Sequence, residues 1–168
     1  MFPASFFRAP PALIPLPLAA SLALAACFAG SAWADDNRSI PAPAMLRSYQ
    51  QECAACHIAY PPGALPAASW QHLMNNLPRH FGTDASLDPA TVKEIAGWLT
   101  ANAGTFKRVG EEPPEDRITR SRWFIRKHHE VSAATWMLPA VKSAANCAAC
   151  HTRADQGDFN EHTVRIPR

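Results

Sequence analysis

Three features of common protein classes are missing from this chain of 168 residues. No segment is apolar over the roughly 20 residues that a membrane-spanning helix needs. No segment alternates between apolar and polar residues in the way of a half-buried strand. Charge is nearly balanced, with 16 Lys and Arg against 14 Asp and Glu, so the strongly basic face of a nucleic-acid-binding protein is not expected. These absences favour a helical protein that does not bind nucleic acid.

The first residues predict a secretory leader. Residues 1–34 contain a single charge, Arg8, followed by a short, proline-rich apolar run from Ala12 to Ala26. The sequence AWA at positions 32–34 is a small-x-small pattern typical of a signal-peptidase site. We therefore expect residues 1–34 to be a signal peptide and the mature chain to begin at Asp35.

The leader also allows a second interpretation. The sequence LAAC, which ends at Cys27, is similar to the lipidation signal of bacterial lipoproteins. In that case a lipid attached to Cys27 would anchor the protein. The favoured expectation is a soluble protein of the periplasm, and both interpretations imply export to an oxidising compartment.

Four cysteines of the predicted mature chain belong to two copies of the motif CAACH, at Cys53–His57 and Cys147–His151. Exported cysteines commonly form disulfides, but C-x-x-C followed directly by His is the attachment signature of c-type haem. Two thiols one helical turn apart can bond the two vinyl groups of one porphyrin, and the next residue can then bind the iron. The motifs therefore predict two covalent haem c groups held by Cys53, Cys56, Cys147 and Cys150, with His57 and His151 as iron ligands.

Two other uses of the cysteines fit the motifs less well. A four-cysteine zinc site would leave both histidines unused and would join pairs that are far apart in the sequence. A pair of redox-active disulfides would need a thioredoxin-like arrangement of strand and helix, which the sequence does not indicate.

Three helices are expected in the first half of the mature chain. A helix over 42–56 leads into the first motif, and a second helix begins at about Ala67 and is closed by a proline. The third has Asp88 as its N-cap, Pro89 at its first position and Gly104 as its C-terminal stop.

The second half has weaker patterns. Residues 107–118 combine two prolines with many charges and predict a linker. A helix over 121–131 and another that ends at the second motif follow. We expect an all-α fold of two small, helical, cytochrome c-like modules, residues 35–106 and 119–168, each wrapped around one haem.

The second axial ligand of each iron decides the function. A haem with both axial positions filled passes electrons, whereas an open position allows ligand binding or peroxide chemistry. Helical phase places His72 opposite the apolar face of its helix. His80 follows a proline break at which the chain can turn inward, so it is the leading candidate in the first half.

The same question arises in the second half. His128 lies in the middle of an apolar stripe, and a polar ring there needs a partner, whereas His129 lies at the edge of the stripe. Met74 and Met137 are rival ligands, which would raise the reduction potential. The residues alone also leave open whether His80 binds the second iron instead of the first.

Four stretches resemble the small periplasmic dihaem cytochromes c: ECAACHIAYPPGALPAASWQ, HFGTDASLDPAT, WFIRKHHE and SAANCAACHTRADQGDF. The resemblance extends from about Arg47 to the C-terminus. It implies low-potential haems with two histidine ligands each, and it matches His80 and His128 to the distal positions. It also implies electron transfer to an oxygen-binding monohaem cytochrome c, often alongside a membrane cytochrome b.

We therefore expect an electron-transfer protein with redox proteins as partners, no small-molecule substrate and no enzymatic activity. The alternatives are a dihaem peroxidase and a haem-based gas or redox sensor. Either would need one iron with an open or exchangeable axial position.

A basic cluster, which we define as Arg117, Arg120, Arg122, Arg126 and Lys127, follows an acidic run in the sequence. It is interpreted either as a solvated helix face or as a docking surface for a negatively charged redox partner.

Overall fold

The computed structural model describes residues 43–106 and 109–168. The predicted signal peptide, Cys27 and the predicted mature N-terminus at Asp35 lie outside these residues, as do the first two positions of the predicted linker. Within them the chain is helical, and the only β-type pairings are isolated bridges such as the one between His151 and Val164. The prediction of an all-α fold is confirmed.

The described residues form five α-helices. They are α1 (Arg47–Cys53), α2 (Ala67–Met74), α3 (Pro89–Ala101), α4 (Arg122–Lys127) and α5 (Ala133–Trp136). Short 3₁₀ turns lie between and beyond them, including Leu77–Arg79 and Cys147–Ala149. None of the described helices has the length and apolar character needed to cross a membrane.

Helix α3 begins as its sequence predicts. The Asp88 side chain accepts hydrogen bonds from the backbone N–H groups of Ala90 and Thr91, both at 3.0 Å, and Pro89 occupies the first helical position. These bonds satisfy N–H groups that have no partner within the helix. The helix ends at Ala101, earlier than expected.

Gly104 has a packing role and does not cap α3. It is buried, its N–H donates to the Leu65 carbonyl at 2.9 Å, and a Cβ atom at this position would lie 2.6 Å from the Gly63 carbonyl oxygen and against Val109. Because this close approach leaves no space for a side chain, glycine is required here.

The main core is formed by α1, α2 and α3. Its buried members are Tyr49, Leu65, Trp70, Met74, Leu77, Ile95 and Leu99. The Trp70 indole donates to the Pro62 carbonyl at 2.7 Å, which satisfies its only polar group inside this core. Helix α3 therefore contacts α1 and α2 through the face that bears its buried residues, Ile95 and Leu99.

The second half has less regular structure than expected. The predicted helix over 121–131 is α4, which ends at Lys127, and the described residues form no α-helix directly before the second motif. After Pro139 the chain turns through Lys142 at φ +64°. The Ser143 hydroxyl then accepts from the Ala145 N–H at 3.1 Å, a local bond that competes with helix formation.

Two long-range hydrogen bonds join the first and second halves. The Trp123 indole donates to the Ala64 carbonyl at 3.1 Å, and the Tyr60 hydroxyl donates to the Ala145 carbonyl at 2.8 Å. The described residues all fall within one compact unit. The boundaries between the two expected modules and their linker stay a prediction.

Candidate cofactor sites

The first site is formed by a pair of histidines. His57 follows the end of α1, His80 follows the turn Leu77–Arg79, and their ring centroids are 6.1 Å apart with planes at 29°. Two imidazole nitrogens that bind one metal ion from opposite sides, each at about 2 Å, place their ring centroids about 6 Å apart. The pair therefore has the spacing of two axial ligands of one iron.

The second site repeats this spacing with a different ring orientation. His128 caps the C-terminus of α4, and His151 follows the turn Cys147–Ala149. Their ring centroids are also 6.1 Å apart, but their planes are at 75°. Each motif histidine is thus paired with one distal histidine, and His80 lies beside His57.

One ring in each pair is oriented by a backbone carbonyl. His57 Nδ1 lies 2.6 Å from the Ile58 carbonyl oxygen, and His128 Nδ1 lies 2.9 Å from that of Phe124. A ring that donates its Nδ1 hydrogen in this way keeps the lone pair on Nε2. These bonds leave Nε2 of each ring available for a metal.

The other ring of each pair has a buried nitrogen without a protein partner. Nδ1 of His80 and Nδ1 of His151 make no hydrogen bond within the part of the chain that the structure describes. Burial lowers the pKa of both imidazoles, and of His128 as well. All three therefore favour the neutral form, which is the form that binds metals.

No disulfide joins any of the four motif cysteines, all of which lie within the described residues. Burial raises the pKa of Cys53 and of Cys147 to about 11 each, and it also raises the pKa of Cys150. These three thiols therefore favour the protonated form at neutral pH.

A cavity of about 740 Å³ adjoins the first pair, within the size range of cofactor sites. Most of its wall is apolar, and its lining includes Tyr49, Leu65, Trp70, Leu73, Met74, Leu77, Leu87, Leu99 and Ile118. Cys53, Cys56, His57 and His80 also line it. Two thiols, two facing imidazoles and an apolar wall are the groups that fit a haem.

The second motif borders the same cavity. Asn146 and Cys147 belong to its lining, although they follow the first motif by about 90 residues. The second attachment point therefore lies at the edge of the first site.

Aromatic rings surround the second pair. The His128 ring stacks on Phe124 with centroids 4.0 Å apart, and Trp136 lies 6.0 Å from the same ring. His151 lies 5.3 Å from Phe159. These contacts form an apolar wall for a second planar cofactor.

Three of the four rival ligands are exposed side chains, and the fourth, Met74, lies in the wall of the cavity. His72 is exposed, with Nδ1 3.4 Å from Asp116, and His129 is exposed, with Nδ1 2.8 Å from the Arg126 carbonyl. Met137 is 82% exposed, whereas Met74 is a core residue that lines the cavity.

The basic cluster is largely paired within the protein. Arg117 and Arg120 both contact Glu115, and the Arg122 side chain lies 3.1 Å from Glu111. These ion pairs favour a solvated charged face over a dedicated docking surface.

Tyr60 is a site residue that no sequence pattern singles out. Its ring stacks on His57 with centroids 4.7 Å apart and planes at 22°. Burial raises its pKa to about 12, so the hydroxyl remains a hydrogen-bond donor at neutral pH. The available signal was an aromatic residue three positions after the motif histidine.

Comparison with known proteins identifies similar chains. A family model described as dihaem cytochrome c matches residues 49–159. A dihaem cytochrome c from Shewanella baltica OS155 is 38% identical, with a TM-score of 0.64 over 72% of this chain and 92% of that chain. A dihaem cytochrome c from Rhodobacter sphaeroides is 42% identical, with a TM-score of 0.63 over 71% of this chain and all of the other. No curated protein matches.

Proposed function

Because the chain belongs to the dihaem cytochrome c family and so carries two covalently bound haem c groups, we propose that it is a low-potential electron-transfer protein. His57 and His80 bind the first iron, and His151 and His128 bind the second. The observation that carries this proposal is the equal separation of 6.1 Å between the ring centroids of the two histidine pairs.

Each haem, when bound, supplies an iron that gains and loses one electron. The chain attaches the porphyrins through its motif cysteines and fills the axial positions with neutral imidazoles. A second histidine gives a lower potential than a methionine in the same position, which supports the proposal of low potentials. With both axial positions filled, the protein has no iron site at which a substrate would react.

We further propose that the protein acts in the periplasm, soluble after cleavage near Ala34, and exchanges electrons with other redox proteins. The leader sequence supports export. The family resemblance of the sequence supports a monohaem cytochrome c and a membrane cytochrome b as partners.

The absorption spectrum of the purified holoprotein tests the ligation. We expect a fully low-spin ferric spectrum and no prompt binding of carbon monoxide by the ferrous protein, because both axial positions are filled. A spectroelectrochemical titration should give two low midpoint potentials. A high-spin band or prompt carbon monoxide binding would contradict the proposal and would favour a peroxidase or a sensor.

A further inference from the structure

One side chain contacts parts of both sites. The Tyr60 ring stacks on the imidazole of His57, and its hydroxyl donates at 2.8 Å to the carbonyl of Ala145, which is 85 positions later. Cys147 Sγ lies 3.7 Å from the same carbonyl oxygen. Tyr60 therefore connects the motif histidine of the first site with the attachment segment of the second.

Both ends of this connection are held in place. The buried Tyr49 hydroxyl donates to the Tyr60 carbonyl at 2.8 Å, which fixes Tyr60 to the main core. In the second half, the Asn146 side chain donates at 3.1 Å to the carbonyl of Val141, which is only 1% exposed. The hydrogen bond from Tyr60 to Ala145 thus joins two segments that are each anchored to a buried residue.

We propose that Tyr60 is a positioning residue for electron transfer between the two haems, an inference that rests on the proposed function. The bond between its hydroxyl and Ala145 sets the distance and angle of the second attachment segment relative to His57. An electron that passes from one iron, in its ferrous form, to the other, in its ferric form, would oxidise the first and reduce the second. Tyr60 would stay neutral because no proton moves.

The hydroxyl and the ring have separable roles. The stacking contact with His57 needs only the aromatic ring, whereas the bond to Ala145 needs the oxygen. Tyr60→Phe therefore removes the hydrogen bond to Ala145 and keeps the ring contact with His57. Thr163→Val is a control, because it removes a hydroxyl bond of the same length, to the Asn160 carbonyl at 2.8 Å, that stays within the second half.

Circular dichroism in the Soret region measures this link in the holoprotein, since two close haems couple their transitions and give a two-signed band that depends on their distance and angle. We expect the parent protein to show this band and Tyr60→Phe to lose most of it while remaining low-spin. Equilibration between the haems after flash photoreduction should slow severalfold in Tyr60→Phe. Thr163→Val should match the parent in both measurements.

Other outcomes would overturn the inference. These are the absence of a two-signed band in the parent, an unchanged band and rate in Tyr60→Phe, or equal losses in both variants. A failure of the proposed ligation is distinguishable, because it produces a high-spin band or carbon monoxide binding in the parent itself.

A second measurement does not depend on the folding of Tyr60→Phe. The chain has only 2 tyrosines, so nuclear magnetic resonance of the parent labelled at tyrosine resolves both hydroxyls, and Tyr49→Phe assigns them. A Tyr60 hydroxyl proton that is protected from solvent exchange supports the inference. Free exchange with solvent would overturn it.

Discussion

At the scale of single residues, the two histidine pairs differ mainly in how their rings are turned. The planes of His57 and His80 are at 29°, whereas those of His128 and His151 are at 75°. When two imidazole rings are nearly parallel, both donate π electron density into the same iron d orbital. When they are nearly perpendicular, the donation is distributed over two iron d orbitals. If these pairs bind the irons as proposed, the two haems are expected to be electronically unequal.

Electron paramagnetic resonance of the frozen ferric protein checks this inequality. The first haem should give a rhombic low-spin signal, and the second should give a highly anisotropic one with a large maximum g value. Two overlapping rhombic signals would show that the ring planes of the second pair are nearly parallel in the holoprotein.

The neighbours His128 and His129 are both candidates for the distal ligand of the second haem, and their surroundings differ. His128 faces His151, whereas His129 is exposed and contacts the Arg126 carbonyl. His128→Ala should open one haem to cyanide or carbon monoxide with both haems still attached, because the distal imidazole is lost. His129→Ala, the matched control, should exclude these ligands like the parent, and the reverse pattern would assign the position to His129.

At the scale of elements, α4 holds His128 at its end and begins at a buried cap. The Ser121 hydroxyl accepts from the Phe124 N–H at 3.2 Å and donates to the Ile118 carbonyl at 2.7 Å. Ser121→Ala should lower the free energy of unfolding by about 1–2 kcal/mol, because the Phe124 N–H loses its cap and the Ile118 carbonyl keeps only the bond from the Ser121 N–H. Chemical denaturation of the holoprotein measures this.

Ser132→Ala is the control for the Ser121 substitution. Ser132 caps α5 with the same kind of bond, to the Thr135 N–H, but it is exposed, so water can replace the hydroxyl. The free energy of unfolding should decrease less in Ser132→Ala than in Ser121→Ala. Equal decreases in the two variants would mean that burial of the Ser121 hydroxyl does not contribute to stability.

Alanine substitutions at two glycines, one within α3 and one after it, should change the stability of the protein in opposite directions. Gly97 is exposed in the helix with open space around its Cα, so Gly97→Ala should stabilise the protein by up to about 1 kcal/mol. Gly104→Ala should destabilise it by about 1–3 kcal/mol, because its new Cβ meets the Gly63 carbonyl and Val109. Thermal unfolding of the two holoproteins gives the comparison, and a stabilising Gly104→Ala would contradict the packing at this position.

At the scale of the whole molecule, the two halves depend on each other through few polar contacts. The Trp123 indole donates to the carbonyl of Ala64, a residue that is only 2% exposed. Trp123→Phe leaves this buried carbonyl without its partner and should lower the free energy of unfolding by about 1–3 kcal/mol. We expect absorbance at the haems and far-ultraviolet circular dichroism to give one coincident unfolding transition, and separate transitions would show that the halves unfold independently.

Prediction from the sequence succeeded where the determinants are local. The start of α3 follows from Asp88 and Pro89, which are adjacent to the groups they affect. It was wrong where a distant contact decides the structure: Gly104 was assigned as a helix stop, but its role is close packing against Gly63. The helix expected before the second motif also failed to form, because Ser143 and Asn146 bond to the local backbone instead.

The sequence alone determined the covalent chemistry, because the two CAACH motifs contain both thiols and one imidazole of each site within five consecutive residues. It also reduced the distal candidates to a few residues. Only the tertiary structure decided the rest: it placed His80 opposite His57 and His128 opposite His151, set the angles between their rings and brought Tyr60 to Ala145. These relations join residues that are distant in the chain, and packing between helices and turns, which no local pattern encodes, fixes their geometry.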